Sequence, residues 1–342
     1  MRQLFPDWGW DIATPSIIYF MDGFRRSARL FVEICDTHGI TCSYAVKANR
    51  HPRILAAAAQ EGLGFDIASH EEFRTIDGLR ARAILATSPG LTKETMAAVD
   101  DVSGTIFFDN LAQFDLAREI GLDTRDHGIR LSMPGDYAAF GFAAGEMAGL
   151  RDRGIPVKKV HVHAGEYFDQ ADVERRLQHL RAIVEHVDLD VIDLGGGFGV
   201  LSNRRESLET ALSTMKRFSN EMGTKLIIEP GKAIAARCGF LVATVLASKA
   251  RPEGQVVIID SSSFNLGEME VRRLAATSAE DTSLVLTTVI GPTCFEGDIW
   301  GQFDLPRLAP GDRLIFSNMG AYTASIAATL HGLPAPGEHF ID

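Results

Sequence analysis

Short apolar runs alternate with longer amphipathic stretches from residue 41 to about residue 231. The short runs are rich in β-branched and aromatic residues, which predicts strands, and apolar residues three or four positions apart predict helices between them. The predicted strands are Thr41–Lys47, Gly64–Ala68, Arg82–Thr87, Gly104–Phe108, His127–Met133, Lys159–His163, Asp190–Leu194 and Lys225–Glu229. Eight such strands with intervening helices predict an α/β fold, a closed TIM-type (β/α)8 barrel.

The helices between these strands show the same apolar spacing. They are predicted at Pro52–Gln60, His70–Leu79, Leu111–Ile120, Val173–His186 and Ser207–Met222. One more helix, at about Gly23–His38, precedes the first barrel strand, and Ser16–Met21 before it reads as a strand outside the barrel.

After Pro230 the rhythm changes to strands separated by turns and loops, which predicts a second, antiparallel β domain. Its predicted strands are Phe240–Ala250, Gln255–Asp260, Ser283–Ile290 and Asp312–Phe316. We expect the strand at Ser16–Met21 to join them. The predicted domains are therefore a barrel over residues 23–233 and a β domain over residues 1–22 and 234–342.

Charge and cysteine content narrow the classes of partner. The chain has 34 Lys and Arg against 45 Asp and Glu, a net charge of −11 that would repel nucleic acid. No long apolar run follows Arg2, so we expect neither a secretory signal nor a membrane anchor. The spacing of Cys35, Cys42, Cys238 and Cys294 matches neither a zinc ribbon nor a redox pair, which favours free thiols in the cytoplasm.

Polar residues and glycines collect at the predicted carboxyl ends of the barrel strands, where barrel enzymes build their active sites. They are Lys47, Asp66 with Ser69, Asp109, Arg130, His163, Gly195, Gly196, Gly197, Glu229 and Lys232. Successive glycines let backbone N–H groups approach an anion, and the loops after strands seven and eight commonly hold phosphate in such barrels. Taken alone, a glycine run is equally compatible with a tight turn.

Lys47 and Glu229 are the candidate reactive groups. Lys47 ends an apolar strand, where a desolvated lysine can form a Schiff base, although a lysine at a barrel rim can also extend to water. Glu229 lies on a turn, where an acid directed into the barrel can pair with the protonated nitrogen of a pyridine cofactor. The alternative for Glu229 is a surface ion pair of little energetic weight.

His161 and His163 alternate on one predicted strand and should face the same way, as two metal ligands would. Further ligands would have to come from Asp66, Asp109 or Glu229, because no other histidine occupies a strand end. We therefore favour a role in binding an organic cofactor and expect no metal.

A series of motifs resembles the alanine racemase-like, fold-type III family of pyridoxal-phosphate enzymes, within it the ornithine, lysine, diaminopimelate and carboxynorspermidine decarboxylases. The motifs follow one another over nearly the whole chain: YAVKAN (44–49), FDIAS with Glu72 (65–72), HVHAG (161–165), GGG (195–197), EPG (229–231), GPTC (291–294) and GAYT (320–323). The resemblance favours decarboxylation over racemisation, because the racemase branch uses a tyrosine base and lacks GPTC.

The resemblance implies pyridoxal 5′-phosphate as the cofactor and assigns roles to single residues. Lys47 would hold the cofactor covalently, His163 would stack on its ring, and Glu229 would face the ring nitrogen. Cys294 would give a proton to Cα after carbon dioxide has left. The other cofactor contacts implied by the motifs are Asp66, Gly195, Gly196, Gly197, Lys232 and Tyr322, the last of these at the phosphate.

Three positions depart from the pattern of the family. Lys232 replaces the usual arginine and keeps its charge without the planar fork. Glu166 replaces a common serine, and we expect it to turn away from a phosphate or to meet a substrate amine. Phe295 replaces an acid that touches the distal end of the substrate in the ornithine and diaminopimelate enzymes, which leaves Glu296 and Asp298 to recognise an amine.

These observations predict a pyridoxal-phosphate-dependent amino-acid decarboxylase. Its expected substrate is a basic, carboxylated-polyamine or conjugated diamino acid, as used in polyamine or siderophore biosynthesis. The resemblance implies a homodimer in which Lys47 of one subunit faces Cys294 of the other. Two alternatives stay open: a pyridoxal-phosphate-dependent racemase and a non-catalytic regulatory homologue. The presence of both Lys47 and Cys294 argues against the regulatory homologue.

Overall fold

Eight parallel strands close into a barrel in the computed structural model, which describes residues 12–133, 139–266, 273–279 and 283–342. A first strand, β1 (Ser16–Phe20), precedes the barrel strands β2 (Ile40–Ala45), β3 (Gly64–Ile67), β4 (Ile84–Thr87), β5 (Thr105–Phe108), β6 (Gly128–Arg130), β7 (Lys159–His161), β8 (Val191–Asp193) and β9 (Lys225–Ile228). The barrel closes where β2 pairs with β9, with Ile40 opposite Leu226. The predicted barrel is confirmed, although several strands end earlier than predicted.

Helices connect the barrel strands, and five of them begin at a residue whose side chain caps the helix. They are α1 (Met21–His38), α2 (Pro52–Gln60), α3 (His70–Ile76), α4 (Lys93–Asp101), α5 (Leu111–Glu119), α6 (Met147–Asp152), α7 (Gln170–Val184), α8 (Arg205–Glu221) and α9 (Lys232–Ala235). The hydroxyl of Ser69 accepts a hydrogen bond from the N–H of Glu72, whose carboxylate accepts one from the N–H of Ala68. These two bonds, a variant of the capping box, fix the start of α3 just after β3.

The remaining strands form a mixed, mainly antiparallel sheet. They are β10 (Gly239–Arg251), β11 (Gly254–Ile259), β12 (Arg273–Thr277), β13 (Leu284–Ile290), β14 (Ile299–Pro306), β15 (Arg313–Ser317) and β16 (Gly337–Ile341). Their order is β12-β15-β10-β11-β13-β14, and β1 joins through β10, as predicted. Two pairings, β11 with β13 and β1 with β16, are parallel, which the prediction of an antiparallel domain did not anticipate.

The chain divides into two compact units. One unit, here called the barrel unit, is Arg25–Ile234. The other, the β unit, combines the chain up to Phe24 with the chain from Ala235 onward. In the described part of the chain, no helix has the length and apolar character needed to cross a membrane.

Candidate active site

Lys47 lies in a 3₁₀ turn, Val46–Ala48, directly after β2. Its Nζ donates a hydrogen bond of 2.8 Å to Oδ2 of Asp66, a residue of β3. The Asp66 side chain is only 1% exposed, whereas that of Lys47 is 45% exposed. Of the two alternatives for Lys47, its exposure favours a lysine that extends towards water over a desolvated one, and β2 ends at Ala45 rather than at Lys47 as predicted.

Three buried carboxyl groups share this end of the barrel. Burial and the nearby Glu229 raise the pKa of Asp66 to about 7, against the opposing effect of Lys47. Burial and Glu229 also raise the pKa of Asp193 well above its ordinary value. Glu229 differs: although burial opposes ionisation, His161 lowers the pKa of Glu229 to about 2. Because neighbouring buried acids cannot all ionise, the negative charge concentrates on Glu229.

Glu229 follows β9 and has one engaged and one unengaged oxygen. Its Oε2 lies 3.3 Å from Nε2 of His161, and both side chains are buried. Its Oε1 is buried and accepts no hydrogen bond from an N–H or hydroxyl group of the described residues, although the Asp193 carboxyl hydrogen-bonds to the Glu229 side chain. Because an ionised buried oxygen without a donor is costly, this atom marks a place where a bound molecule can donate a hydrogen bond.

His161, Asp193 and Glu229 also approach one another as metal ligands would, with one ligand atom from each lying within 4.8 Å of the others. His163 is not part of this group. The group therefore differs from the predicted alternative, in which His161 and His163 together would bind a metal. Burial and the nearby Glu229 raise the pKa of Asp193, which disfavours the ionised carboxylate that a metal ion would need. The three side chains are also explained as a hydrogen-bonded network without a metal ion.

His163 lies beyond the end of β7, so it does not share a strand with His161 as predicted. Its Nδ1 accepts a hydrogen bond of 3.4 Å from the N–H of Gly196. Burial, together with the charge of His161, lowers the pKa of His163 to about 4. The imidazole is therefore neutral at neutral pH, which suits stacking on a flat ring.

The glycine run after β8 needs its glycines. Gly195 and Gly197 have φ angles of +64° and +92°, which L side chains rarely adopt. A Cβ at Gly195 would lie 2.8 Å from the carbonyl oxygen of Val162. The loop is anchored by the N–H of Gly195, which donates to Asp193 Oδ1 at 2.8 Å. It follows that this loop presents backbone rather than side chains at the barrel mouth.

Glu166 lies beside the same loop. Its Oε2 lies 3.1 Å from Nζ of Lys232, and its Oε1 accepts a hydrogen bond of 2.6 Å from the N–H of Val200. A Cβ at Gly199 would lie within 3 Å of both the Glu166 carboxylate and the Lys232 side chain. The carboxylate thus occupies the positions, beside a cation and a loop N–H, that an anionic ligand would use.

The other predicted strand-end residues support loops. Ser69 caps α3. Asp109 is buried, and its Oδ1 accepts a hydrogen bond of 2.9 Å from the N–H of Gly141. The guanidinium of Arg130 lies 4.8 Å from the centre of the Phe140 ring. These contacts hold the loops and the helix start that follow the barrel strands.

In the β unit, Asp298 holds the turn that carries the GPTC motif. It is 2% exposed, and its Oδ1 accepts hydrogen bonds of 2.7 and 2.8 Å from the N–H and hydroxyl of Ser263. Its Oδ2 accepts one of 2.7 Å from the Thr293 hydroxyl. Although burial opposes ionisation, these bonds lower the pKa of Asp298. The expected contact of Asp298 with a substrate amine is therefore wrong, because its oxygens are used within the protein.

Cys294, the last residue of the GPTC motif, is exposed, and so are Phe295 and Glu296 after it. The Phe295 side chain is 56% exposed, and its ring lies 4.9 Å from that of Phe264. Tyr322 of the GAYT motif is partly buried and has a positive φ of 52°. The exposed segment at 294–296 is therefore available to a ligand or to another protein surface.

Sequence reasoning missed three partners. His161 is the partner of Glu229, Asp193 is a buried acid beside it, and His331 has its Nε2 3.6 Å from Sγ of Cys294. Asp193 could have been found, because it lies two residues before the glycine run. His331 gave no such signal, since it lies 37 residues from Cys294 in an irregular segment.

Known proteins resemble this chain over nearly its whole length. The sequence profile described as "Pyridoxal-dependent decarboxylase, pyridoxal binding domain" matches residues 22–236. The diaminopimelate decarboxylase of Zymomonas mobilis is 24% identical, over 97% of this chain and 89% of its own. The ornithine decarboxylase of Mus musculus is 26% identical, over 88% and 75%. The crystal structure of carboxynorspermidine decarboxylase with norspermidine from Campylobacter jejuni has the same fold, with a TM-score of 0.81, 22% identity and coverage of 96% and 94%.

Proposed function

The chain belongs to the family of pyridoxal-dependent decarboxylases, and we propose that it acts on an amino acid whose side chain ends in a long or conjugated group rather than a short ammonium. The enzyme is a pyridoxal-phosphate-dependent amino-acid decarboxylase. In such a reaction the α-carboxylate leaves as carbon dioxide and a proton takes its place on Cα. The bound cofactor supplies an electron sink for that carbon.

The unengaged oxygen of Glu229 is the observation that carries the fit of the cofactor to this barrel. An ionised acceptor at this depth requires a donor, and the protonated nitrogen of a pyridine ring is a suitable one. His161 keeps Glu229 ionised through its charge and hydrogen bond, so Glu229 can hold the proton on that nitrogen. We assign Lys47 to covalent attachment of the cofactor and His163 to stacking on its ring.

The phosphate end of the cofactor is assigned to the glycine run and to Lys232. The N–H groups of Gly195 and Gly196 already donate to Asp193 and His163, so the loop would meet the phosphate with Gly197 and the residues after it, beside the cation of Lys232. Glu166 already engages Lys232 and the N–H of Val200, so it competes with a phosphate for both. We propose that this competition weakens cofactor binding and is relieved when Glu166 moves aside.

Replacing Glu166 with serine should tighten the binding of pyridoxal phosphate to the apoprotein about tenfold, since one charge-assisted competitor for Lys232 and Val200 is removed. The dissociation constant can be measured by absorbance titration. Pyridoxal without its phosphate should bind Glu166→Ser and the wild type equally well.

The matched control is Glu185→Ser, which removes an exposed glutamate after α7 and should leave both affinities unchanged. An equal gain for pyridoxal and its phosphate ester, or no gain for either, would show that Glu166 does not compete at the phosphate position.

Phe295 supports the choice of substrate. Its exposed ring follows directly on Cys294 and offers no charge partner to a distal ammonium. A short side chain that ends in an ammonium would lose hydration against this ring without compensation. Because Asp298 is engaged within its own turn, Glu296 is the remaining exposed acid of the segment 294–298.

A screen for carbon dioxide release tests the proposed function. We expect turnover of carboxylated polyamines or citrate-conjugated diamino acids to exceed that of ornithine, and Phe295→Asp to raise kcat/KM for ornithine about tenfold by supplying a charge partner. Leu284→Asp, at an equally exposed apolar position of the β unit, should not raise it. Efficient turnover of ornithine by the wild type would contradict the substrate class, and enantiomer exchange without gas release would contradict decarboxylation.

We further propose a homodimer in which the β unit of one subunit completes the barrel site of the other. In support, Lys47 belongs to the barrel unit, whereas Cys294 and Tyr322 belong to the β unit. The four cysteines are unpaired, which supports a reducing, cytoplasmic location. A polyamine or siderophore pathway would supply substrates of the proposed class.

A further inference from the structure

Cys294 has an imidazole beside it. Nε2 of His331 lies 3.6 Å from Sγ of Cys294, within hydrogen-bonding range for sulfur. The other three cysteines of the chain are buried, whereas Cys294 is exposed. A thiol and an imidazole at this distance form a pair that can pass a proton from one to the other.

One short turn, Phe264–Leu266, braces both partners. The ring of Phe264 packs on Phe295, the residue after the cysteine, at 4.9 Å between centroids. Asn265 is 3% exposed, and its Oδ1 accepts a hydrogen bond of 2.9 Å from the N–H of Leu330, the residue before the histidine. Adjacent residues of one turn thus hold the immediate neighbours of the thiol and of the imidazole, which fixes the two groups relative to each other.

The backbone of His331 is itself in an uncommon conformation. Its φ is +61°, in the left-handed region that is unfavourable for most residues with a side chain. Histidine and asparagine adopt this region more readily than most residues do. The surrounding contacts maintain this conformation and so keep the ring beside the sulfur.

We propose that His331 forms a proton relay with Cys294, an inference that rests on the proposed decarboxylation. The S–H bond of Cys294 breaks as its proton passes to Cα of the substrate, which leaves a thiolate. A proton from water then passes to the imidazole of His331, which delivers it through Nε2 to the sulfur and returns to its neutral form. His331 is a positioning and proton-supplying residue that acts through Cys294.

The first test measures the rate at which Cys294 is alkylated, in the absence of substrate turnover. Iodoacetamide should alkylate Cys294 on the order of tenfold more slowly in His331→Asn than in the wild type at neutral pH, because the imidazole no longer accepts the thiol proton as sulfur attacks. Asparagine tolerates the positive φ, so this variant preserves the loop. His339→Asn, at an exposed histidine of β16, is the matched control and should leave the rate unchanged.

The second test uses the holoenzyme and its best substrate from the screen. His331→Gly accommodates the positive φ and leaves space for an imidazole from solution. We expect kcat of this variant to fall at least about tenfold and to recover in a saturable way with added imidazole. Recovery should be absent when Cys294→Ala is combined with it, since the relay acts through the sulfur.

The outcomes separate the relay from the proposed function. An active wild type whose His331→Asn variant keeps its alkylation rate, or whose His331→Gly variant keeps its kcat or gains nothing from imidazole, overturns the relay. A wild-type protein that releases carbon dioxide from no amino acid overturns the proposed function and with it the catalytic use of the pair. Slower alkylation together with imidazole rescue supports both.

Discussion

Replacing Lys47 with alanine should abolish decarboxylation, lowering kcat at least about a thousandfold, and should remove the visible absorbance that borohydride bleaches in the wild type. The reason is that Lys47 places an amine at the barrel mouth, held by a 2.8 Å bond to Asp66. No other group can occupy that position after truncation to a methyl. Absorbance spectra and carbon dioxide release check the two parts separately.

Lys47→Arg distinguishes loss of the nucleophile from loss of the ion pair. Arginine keeps a positive charge beside Asp66 but stays protonated, so it should be as inactive as alanine. Lys249→Ala, at an exposed lysine of β10, is the control and should keep its spectrum and activity. A borohydride-labelled peptide that contains a different lysine would refute the assignment of Lys47.

Mixing inactive Lys47→Ala and Cys294→Ala chains after dissociation should restore about a quarter of the wild-type activity. With random pairing about half of the dimers are mixed, and each mixed dimer has one doubly defective site and one intact site. This expectation follows from the proposed shared-site homodimer, because each intact site would take its lysine from one subunit and its cysteine from the other. Carbon dioxide release before and after mixing measures it.

Two controls make the mixing experiment decisive. Each variant alone must be inactive after the same dissociation and reassociation, and mixed dimers must be shown to form, for example by differently tagged chains. If mixed dimers form and no activity returns, the subunits do not share their sites. Activity that returns without mixed dimers would point to contamination by the wild type.

The barrel was predictable because strands buried on both faces leave continuous apolar runs, which stand out between amphipathic helices. The strands of the β unit that were not predicted lack this signal. β12 is rich in alanine, β14 contains Gly301, and β16 is mostly exposed. The parallel pairing of β11 with β13 was also beyond prediction, because strand pairing depends on contacts far apart in the sequence.

In the candidate site, residue types could be predicted but their partners could not. Motifs place Lys47, His163 and Glu229 near strand ends, yet no pattern shows that His161 rather than a metal holds Glu229. Similarly, the spacing of Glu296 and Asp298 in the sequence suggests two exposed acids, whereas Asp298 is buried in its own turn. Such outcomes depend on side-chain hydrogen bonds between distant segments, which produce no periodic pattern in the sequence.

The pairing of β1 with β16 has a consequence for how the chain is made. Ser16 lies opposite Gly337, so a strand that leaves the ribosome early has no partner at that edge until the far end of the sequence follows. The barrel unit, in contrast, has all its strands once residue 228 has emerged. Because long-range pairing is slow and an unpaired strand edge invites association, we expect the β unit to be the last part to fold and the most prone to aggregate during synthesis.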